Sequence, residues 1–174
     1  MSPRRPGLVA VIGSGNADPG LRRHAREVGR VIAETGFTVI CGGLGGVMEA
    51  ACQGARDDAA SGPATRTIAV LPGNDPDAAN PWIDVAVATG TGHARNVVIV
   101  LSASAVVAVG GDSGTLSELA HAWQEGRPLA AYVPGGGWSA RLAGESLDAK
   151  RVDRIEPIAT PDELRAWLTA IASC

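Results

Sequence analysis

The feature that most constrains this chain is a short continuous apolar run that ends in glycine and passes into a segment of helical period, a unit that occurs three times. The runs cover residues 8–12, 37–41 and 105–109. They end at Gly13-Ser14-Gly15, at Gly42-Gly43-Leu44-Gly45-Gly46 and at Gly110-Gly111-Asp112-Ser113-Gly114. Because the runs are continuous rather than alternating, they predict strands buried on both faces of a parallel sheet. Strand, glycine turn and helix in succession predict βαβ units.

After the first loop, Leu21, Ala25, Val28, Ile32 and Thr35 recur at helical spacing, and Gly36 stands where a C-cap glycine belongs. A helix over 20–35 follows. Further helices are expected over 47–59, 92–101 and 114–125, the last with Leu116, Leu119, Ala120 and Trp123 as its apolar stripe and Glu118 off that stripe. Additional strands are expected at 67–71, 84–87, 129–133 and 155–158, with the stretch Pro72-Gly73-Asn74-Asp75-Pro76 too turn-rich for regular structure. Thr160-Pro161-Asp162-Glu163 combines an N-cap, a proline at the first helical position and a capping-box Glu, so it opens a C-terminal helix. No composition break divides the chain. The expected fold is α/β: residues 1–174 as a single doubly wound, mostly parallel, Rossmann-like sheet with helices on both faces.

Composition excludes several function classes. With 45% hydrophobic and 19% charged residues the chain is globular, not disordered. Fifteen Lys and Arg against 18 Asp and Glu give a net charge of −3, and Lys150 is the sole lysine, so nucleic acid and anionic membrane are not expected partners. The longest apolar stretch, 97–109, is broken by two serines and is too short to span a bilayer. Cys41, Cys52 and Cys174 have neither disulfide-framework nor metal-site spacing, which fits a reducing cytoplasm and predicts no metal.

In an open parallel sheet, ligands lie beyond the carboxyl ends of the strands, against helix N-termini whose unpaired amides attract anions. All three glycine loops fall there, which predicts a phosphorylated ligand. The expected contacts are Gly13, Ser14 and Gly15 in the first loop, Gly42, Gly43 and Gly45 in the second, and Gly110, Gly111, Ser113, Gly114 and Thr115 in the third. Each loop taken alone is equally explained as a tight turn. The first loop lacks the dinucleotide fingerprint spacing, and no Gly-Lys-Ser/Thr occurs, so neither a dinucleotide nor a Walker-type ATP site is indicated. Thr115 and Ser117 add hydroxyl donors. Glu118, in the first turn of its helix, faces either the ligand crevice or solvent, and in either place it favours the helix dipole. Asp112 is repulsive to a phosphate unless it points away or a cation intervenes. Arg95, in Gly92-His93-Ala94-Arg95-Asn96, is placed to clamp a phosphate or carboxylate. His93 has no Ser or Cys partner for nucleophilic chemistry.

These motifs resemble the Lonely Guy family of nucleoside-monophosphate phosphoribohydrolases, long labelled lysine decarboxylases, and more closely their relatives, the molybdenum-cofactor carrier proteins. The enzyme pattern P-G-G-x-G-T-x-x-E has its counterpart in Gly110-Gly111-Asp112-Ser113-Gly114-Thr115-Leu116-Ser117-Glu118, with Val109 for the proline and one extra loop residue. The H-E-R-K-type stretch corresponds to His93-Ala94-Arg95-Asn96. By this resemblance Arg95 and Glu118 match the catalytic Arg and Glu of the enzymes. Similarity to the carriers extends through Gly135-Gly136-Gly137-Trp138 to the C-terminal helix. It implies a binding protein without a built-in cofactor for a phosphorylated nucleotide-like or pterin-like molecule, such as the molybdenum cofactor. The alternative is hydrolysis of a nucleoside 5′-monophosphate to free base and ribose 5-phosphate. The near-uniformly apolar run 97–101, together with Trp123, Trp138 and Trp167, predicts a homodimer or homotetramer.

Overall fold

The computed structural model of the protein describes residues 7–57 and 67–173. Among them are seven strands, β1 (Leu8–Gly13), β2 (Thr38–Cys41), β3 (Thr67–Leu71), β4 (Val85–Ala88), β5 (Ala105–Val109), β6 (Leu129–Tyr132) and β7 (Glu156–Ile158). They form one sheet in the order β4-β3-β2-β1-β5-β6-β7, every pairing parallel. The helices are α1 (Pro19–Glu34), α2 (Val47–Arg56), α3 (Arg95–Ser102), α4 (Ser113–Gln124), α5 (Gly137–Leu142) and α6 (Pro161–Ala172). No helix among the described residues is long and apolar enough to cross a membrane.

The continuous apolar runs are explained by burial on both faces of the sheet. Val9, Val11, Val39, Cys41, Val107 and Val109 point into one layer, shared with α1, α2 and α6. Their neighbours Ala10, Ile12, Ile40, Val106 and Ala108 point into the other, shared with α3 and α4. This is the period-two alternation of a strand, hidden in the sequence because both sides are apolar.

Local signals set the helix ends. Asp18 caps α1 by accepting from the Leu21 amide at 2.8 Å, with Pro19 in the first turn. Gly36, at φ +83°, carries the chain out of α1 in a conformation that favours glycine. Thr160 caps α6 through the Glu163 amide, and Glu163 Oε2 accepts from the Ala159 amide at 2.7 Å.

Three expectations are corrected. The helix expected over 92–101 divides into a 3-10 turn (Gly92–Ala94) and α3, because Gly92 sits at φ +60°, outside right-handed helical space. Helix α2 ends at Arg56; the remainder of its expected span, beyond residue 57, lies outside the described residues. On α4 the buried face is Thr115, Glu118, Leu119, Ala122 and Trp123, so Glu118 lies on it rather than off it, while Leu116 and Ala120 are only partly buried. The physical reason is that α4 packs against α3 as well as the sheet, which encloses its first turn too.

Helices α1 and α2 meet backbone to backbone. A Cβ on Gly29 would lie 1.9 Å from the Ala51 carbonyl oxygen, and one on Gly54 would lie 1.8 Å from the Arg26 carbonyl oxygen. No side chain can yield at either point. Gly29→Ala is therefore expected to destabilise the fold by about 3 kcal/mol or more, the upper range for overpacking, through forced separation of the helices. A urea denaturation midpoint equal to wild type would contradict this.

Candidate functional site

The strand order places β1 and β5 side by side although the chain passes through β2, β3 and β4 between them. The winding direction reverses at that pair. Connections from β1 and from β5 leave toward opposite faces, and a crevice opens between them, the usual ligand position of such sheets. Here the crevice has a volume of about 260 Å³.

Of the residues singled out in the sequence, Gly13, Ser14, Gly15, Gly42, Arg95, Gly114, Thr115 and Glu118 line it, and so does Asp112. Gly43, Gly45, Gly110, Gly111 and Ser113 do not. Gly43 backs onto β3, where a Cβ would meet Ala69 and Leu71. Gly110 and Gly111 are occupied by the segment leading into α5. The Gly110 amide donates to Ser139 Oγ at 2.9 Å, its carbonyl accepts from the Ser139 amide, and the Gly111 carbonyl accepts from the Trp138 amide. This contact explains why Gly135-Gly136-Gly137 follows β6: a Cβ on Gly137 would lie 2.7 Å from the Gly110 carbonyl carbon. Of the third loop's expected contacts, those left facing the crevice are Gly114 and Thr115, in the first turn of α4.

Six residues that were not assigned to the site also line it: Val11, Ile12, Leu44, Met48, His93 and Asn96. Asn96 and His93 flank Arg95 in the sequence, so position beside a site residue was the available signal. Asn80, between β3 and β4, stands behind the lining. Its side-chain amide donates to the Gly43 and Leu44 carbonyls at 3.1 and 3.0 Å, tying the second glycine loop in place.

Arg95 forms the floor of the crevice. It is buried, and Gly42 makes room for it: a Cβ there would lie 2.5 Å from a guanidinium nitrogen. The guanidinium donates to the Asn96 side-chain oxygen and lies 3.6 Å from Glu118 Oε1, while its Nε has no hydrogen-bond partner. Burial raises the Glu118 carboxyl to about 7, with the Arg95 charge offsetting only part of that cost.

Across the crevice, Asp112 stands at the N-cap of α4 without capping it. Its carboxylate instead accepts from Ser14 Oγ–H at 2.7 Å, joining the loop after β1 to the loop after β5. The amides of the first turn of α4 lack intrahelical partners by helix geometry, and no side chain covers for them at the cap.

The profile of the SLOG cluster4 family matches residues 7–164. The chain belongs to this family. It is 44% identical over 126 residues to an uncharacterised protein of Archaeoglobus fulgidus, a match that covers 72% of this chain and 80% of the relative. Among solved structures it is similar to the molybdenum cofactor binding protein of Rippkaea orientalis, at 30% identity and a TM-score of 0.81, covering 97% of this chain and 98% of that one. The molybdenum cofactor carrier protein of Chlamydomonas reinhardtii is similar at 28% identity and a TM-score of 0.81, covering 98% and 100%. The Rossmann-like fold of the SLOG cluster4 family is thus shared along nearly the whole length with proteins of the carrier type.

The raised Glu118 carboxyl makes stability depend on pH. The folded chain holds a proton that the unfolded chain releases at the ordinary carboxylate value, so stability falls as pH rises between 4.5 and about 7. Glu118→Gln removes this loss. The variant is expected to gain on wild type as pH is raised from 5 to 8, by up to about 3 kcal/mol, read from urea denaturation at the two pH values. A stability difference that does not change with pH would contradict it.

Proposed function

We propose that this SLOG cluster4 protein binds a phosphorylated pterin-like or nucleotide-like small molecule in the β1–β5 crevice, and that it serves as a carrier for the molybdenum cofactor. The observation that carries the reading is the open first turn of α4, which faces the Ser14 loop where the winding of the sheet reverses. Amides there suit a phosphate, and Gly114 and Thr115 are the residues that present them. Arg95 lies beneath and gives the floor of the crevice a positive charge. Likeness over the full length to proteins described as binding or carrying the molybdenum cofactor supports the choice of ligand.

The test is metal analysis and fluorescence of the purified protein, with titrations of a phosphorylated pterin and of nucleoside monophosphates. Gly114 is exposed, has open space around it and adopts an ordinary conformation. Gly114→Asp should therefore fold normally and weaken binding about tenfold or more by placing a negative charge at the helix N-terminus. No binding by wild type, or undiminished binding by Gly114→Asp, would defeat the proposal.

One observation favours a second reading, cleavage of the N-glycosidic bond of a nucleoside 5′-monophosphate. Glu118 is held near neutrality beside Arg95, the condition for a carboxyl that stabilises or exchanges a proton with an oxocarbenium-like transition state. Adenine release from 5′-AMP by wild type and its loss in Glu118→Gln would support this reading, whereas equal activity in the two would remove Glu118 from any such mechanism.

Assembly as a homodimer, or as a dimer of dimers, is proposed through the outer face of α3. Val98 and Leu101 there are 46% and 43% exposed, although Ile99 and Val100 on the same short helix are fully buried. The tryptophans do not carry this proposal. Trp123 is buried, donates its ring N–H to Asp148 at 3.1 Å and lies under the Arg151 guanidinium. Trp138 is partly covered by Arg141, and Trp167, on α6, packs against the core. Val98→Asp is expected to shift sedimentation to the 17.6 kDa monomer; a wild type already monomeric at micromolar concentration would refute the assembly.

A further inference from the structure

The charges lining the crevice do not suit a phosphate by themselves. One guanidinium, Arg95, stands against the Asp112 carboxylate and against Glu118, which burial keeps part-protonated at neutral pH, with His93 at the rim. Arg95 is already engaged by Glu118 and by Asn96. Asp112 is the sharper difficulty. It lines the same wall as Gly114 and Thr115, immediately before the amides that would hold the phosphate. Two anionic groups at contact distance repel, with solvent screening part of that repulsion at the exposed Asp112 side chain. The side chain does not turn away, since it is held toward the crevice by Ser14.

The same pair of residues supplies the remedy. Ser14 Oγ gives its proton to Asp112 Oδ2 and accepts the Asn16 amide at 3.2 Å, which leaves one lone pair on the hydroxyl and a second oxygen on the carboxylate. A serine hydroxyl and an aspartate on the loops after two adjacent parallel strands are the donor set by which a magnesium ion is held against nucleotide phosphates in P-loop proteins. Magnesium keeps most of its water and takes one or two protein oxygens together with those of the phosphate. With only these two protein donors, the oxygens of the ligand phosphate would complete the hold on the ion.

We propose that Asp112 and Ser14 form a divalent-cation site, of the magnesium type, that bridges the chain to the phosphate of its ligand. The inference rests on the phosphate-binding reading of the crevice and adds a requirement to it: binding depends on the cation. It also assigns Asp112 a role that its position as an N-cap residue does not provide. The unmade cap is explained by the same assignment, because a side chain bound to the helix amides would be lost to the metal.

Titration calorimetry of the full chain with 5′-AMP and with a phosphorylated pterin, in millimolar Mg²⁺ and in EDTA, tests the proposal. Mg²⁺ is expected to tighten wild-type binding of the accepted ligand about tenfold or more. Asp112→Asn should lose that response and should bind in EDTA more tightly than wild type does, because the repulsion is gone. Ser14→Ala should reduce the Mg²⁺ response while leaving binding in EDTA close to wild type. With Mn²⁺ in place of Mg²⁺, the ligand phosphorus resonance should broaden in wild type and much less in Asp112→Asn, which shows the metal next to the phosphate. Thermal melting checks that both variants fold. Wild-type binding that is indifferent to Mg²⁺ overturns this inference and leaves the proposed function standing, as does a full Mg²⁺ response in Asp112→Asn. Failure of both ligands to bind, with and without metal, overturns the two together.

Discussion

The parallel pairing of β1 with β5 is the contact on which the rest of the molecule depends. Five residue pairs from Val9–Ala105 to Gly13–Val109 join two strands separated by the whole first half of the chain. To make that contact the chain must leave the edge of the sheet at β4, cross back and resume on the other side of β1. The helices on either side then wind away from each other. A crevice at the carboxyl ends of β1 and β5 is therefore a product of topology, before any side chain is chosen. Sequence decides what lines it: Ser14 from one loop, Asp112 from the other, and Arg95 rising from the crossing segment between them.

The floor shows how site and core are made from the same residues. Arg95 and Glu118 are each more than nine-tenths buried, on neighbouring helices, with 3.6 Å between their charged atoms. A buried pair of this kind contributes little net stability, since desolvation offsets most of the attraction. Its retention on the inner faces of α3 and α4, where apolar residues would pack at no electrostatic cost, fits a functional part better than a structural one. Gly42 belongs to the same unit. Its lack of a side chain is needed by the guanidinium, so one glycine that the sequence suggested as a phosphate contact has a packing reason of its own.

Much of the fold was legible because parallel strands are uniformly apolar and end in glycine, and because Asp18, Gly36 and Thr160 mark helix ends by local hydrogen bonding that a short window contains. The existence of all seven strands and the place of the crevice could be read in this way. What could not be read depends on contacts distant in sequence. Glycine looks the same whether it faces a ligand or a backbone, so nothing in Gly110-Gly111 discloses that residues 135–139 fill the space against them. Glu118 falls off the stripe that Leu116, Leu119, Ala120 and Trp123 suggest, yet α3 packs over the first turn of α4 and encloses it beside Arg95, 23 positions earlier. Asp112 raised a question that sequence alone left open, and its answer lay in Ser14, 98 residues away.

The meeting of α1 and α2 at Gly29 and Gly54 has a consequence for how the crevice behaves over time. Where two backbones touch directly, there are no rotamers to rearrange, and the helices move as one piece. Gly46 is the N-cap of α2, so the second glycine loop runs directly into that clamped helix, and the Ser14 carbonyl, which accepts the Val47 amide, is tied to it too. The opposite wall has no comparable clamp: α3 is short, opens through a 3-10 turn and carries exposed valine and leucine on its outer side. The crevice thus has one wall backed by direct backbone contact and another built on a short helix that packs through side chains on its inner face alone. Drift in sequence over evolutionary time should follow the same division, sparing the small residues at the α1–α2 crossing and permitting change along α3.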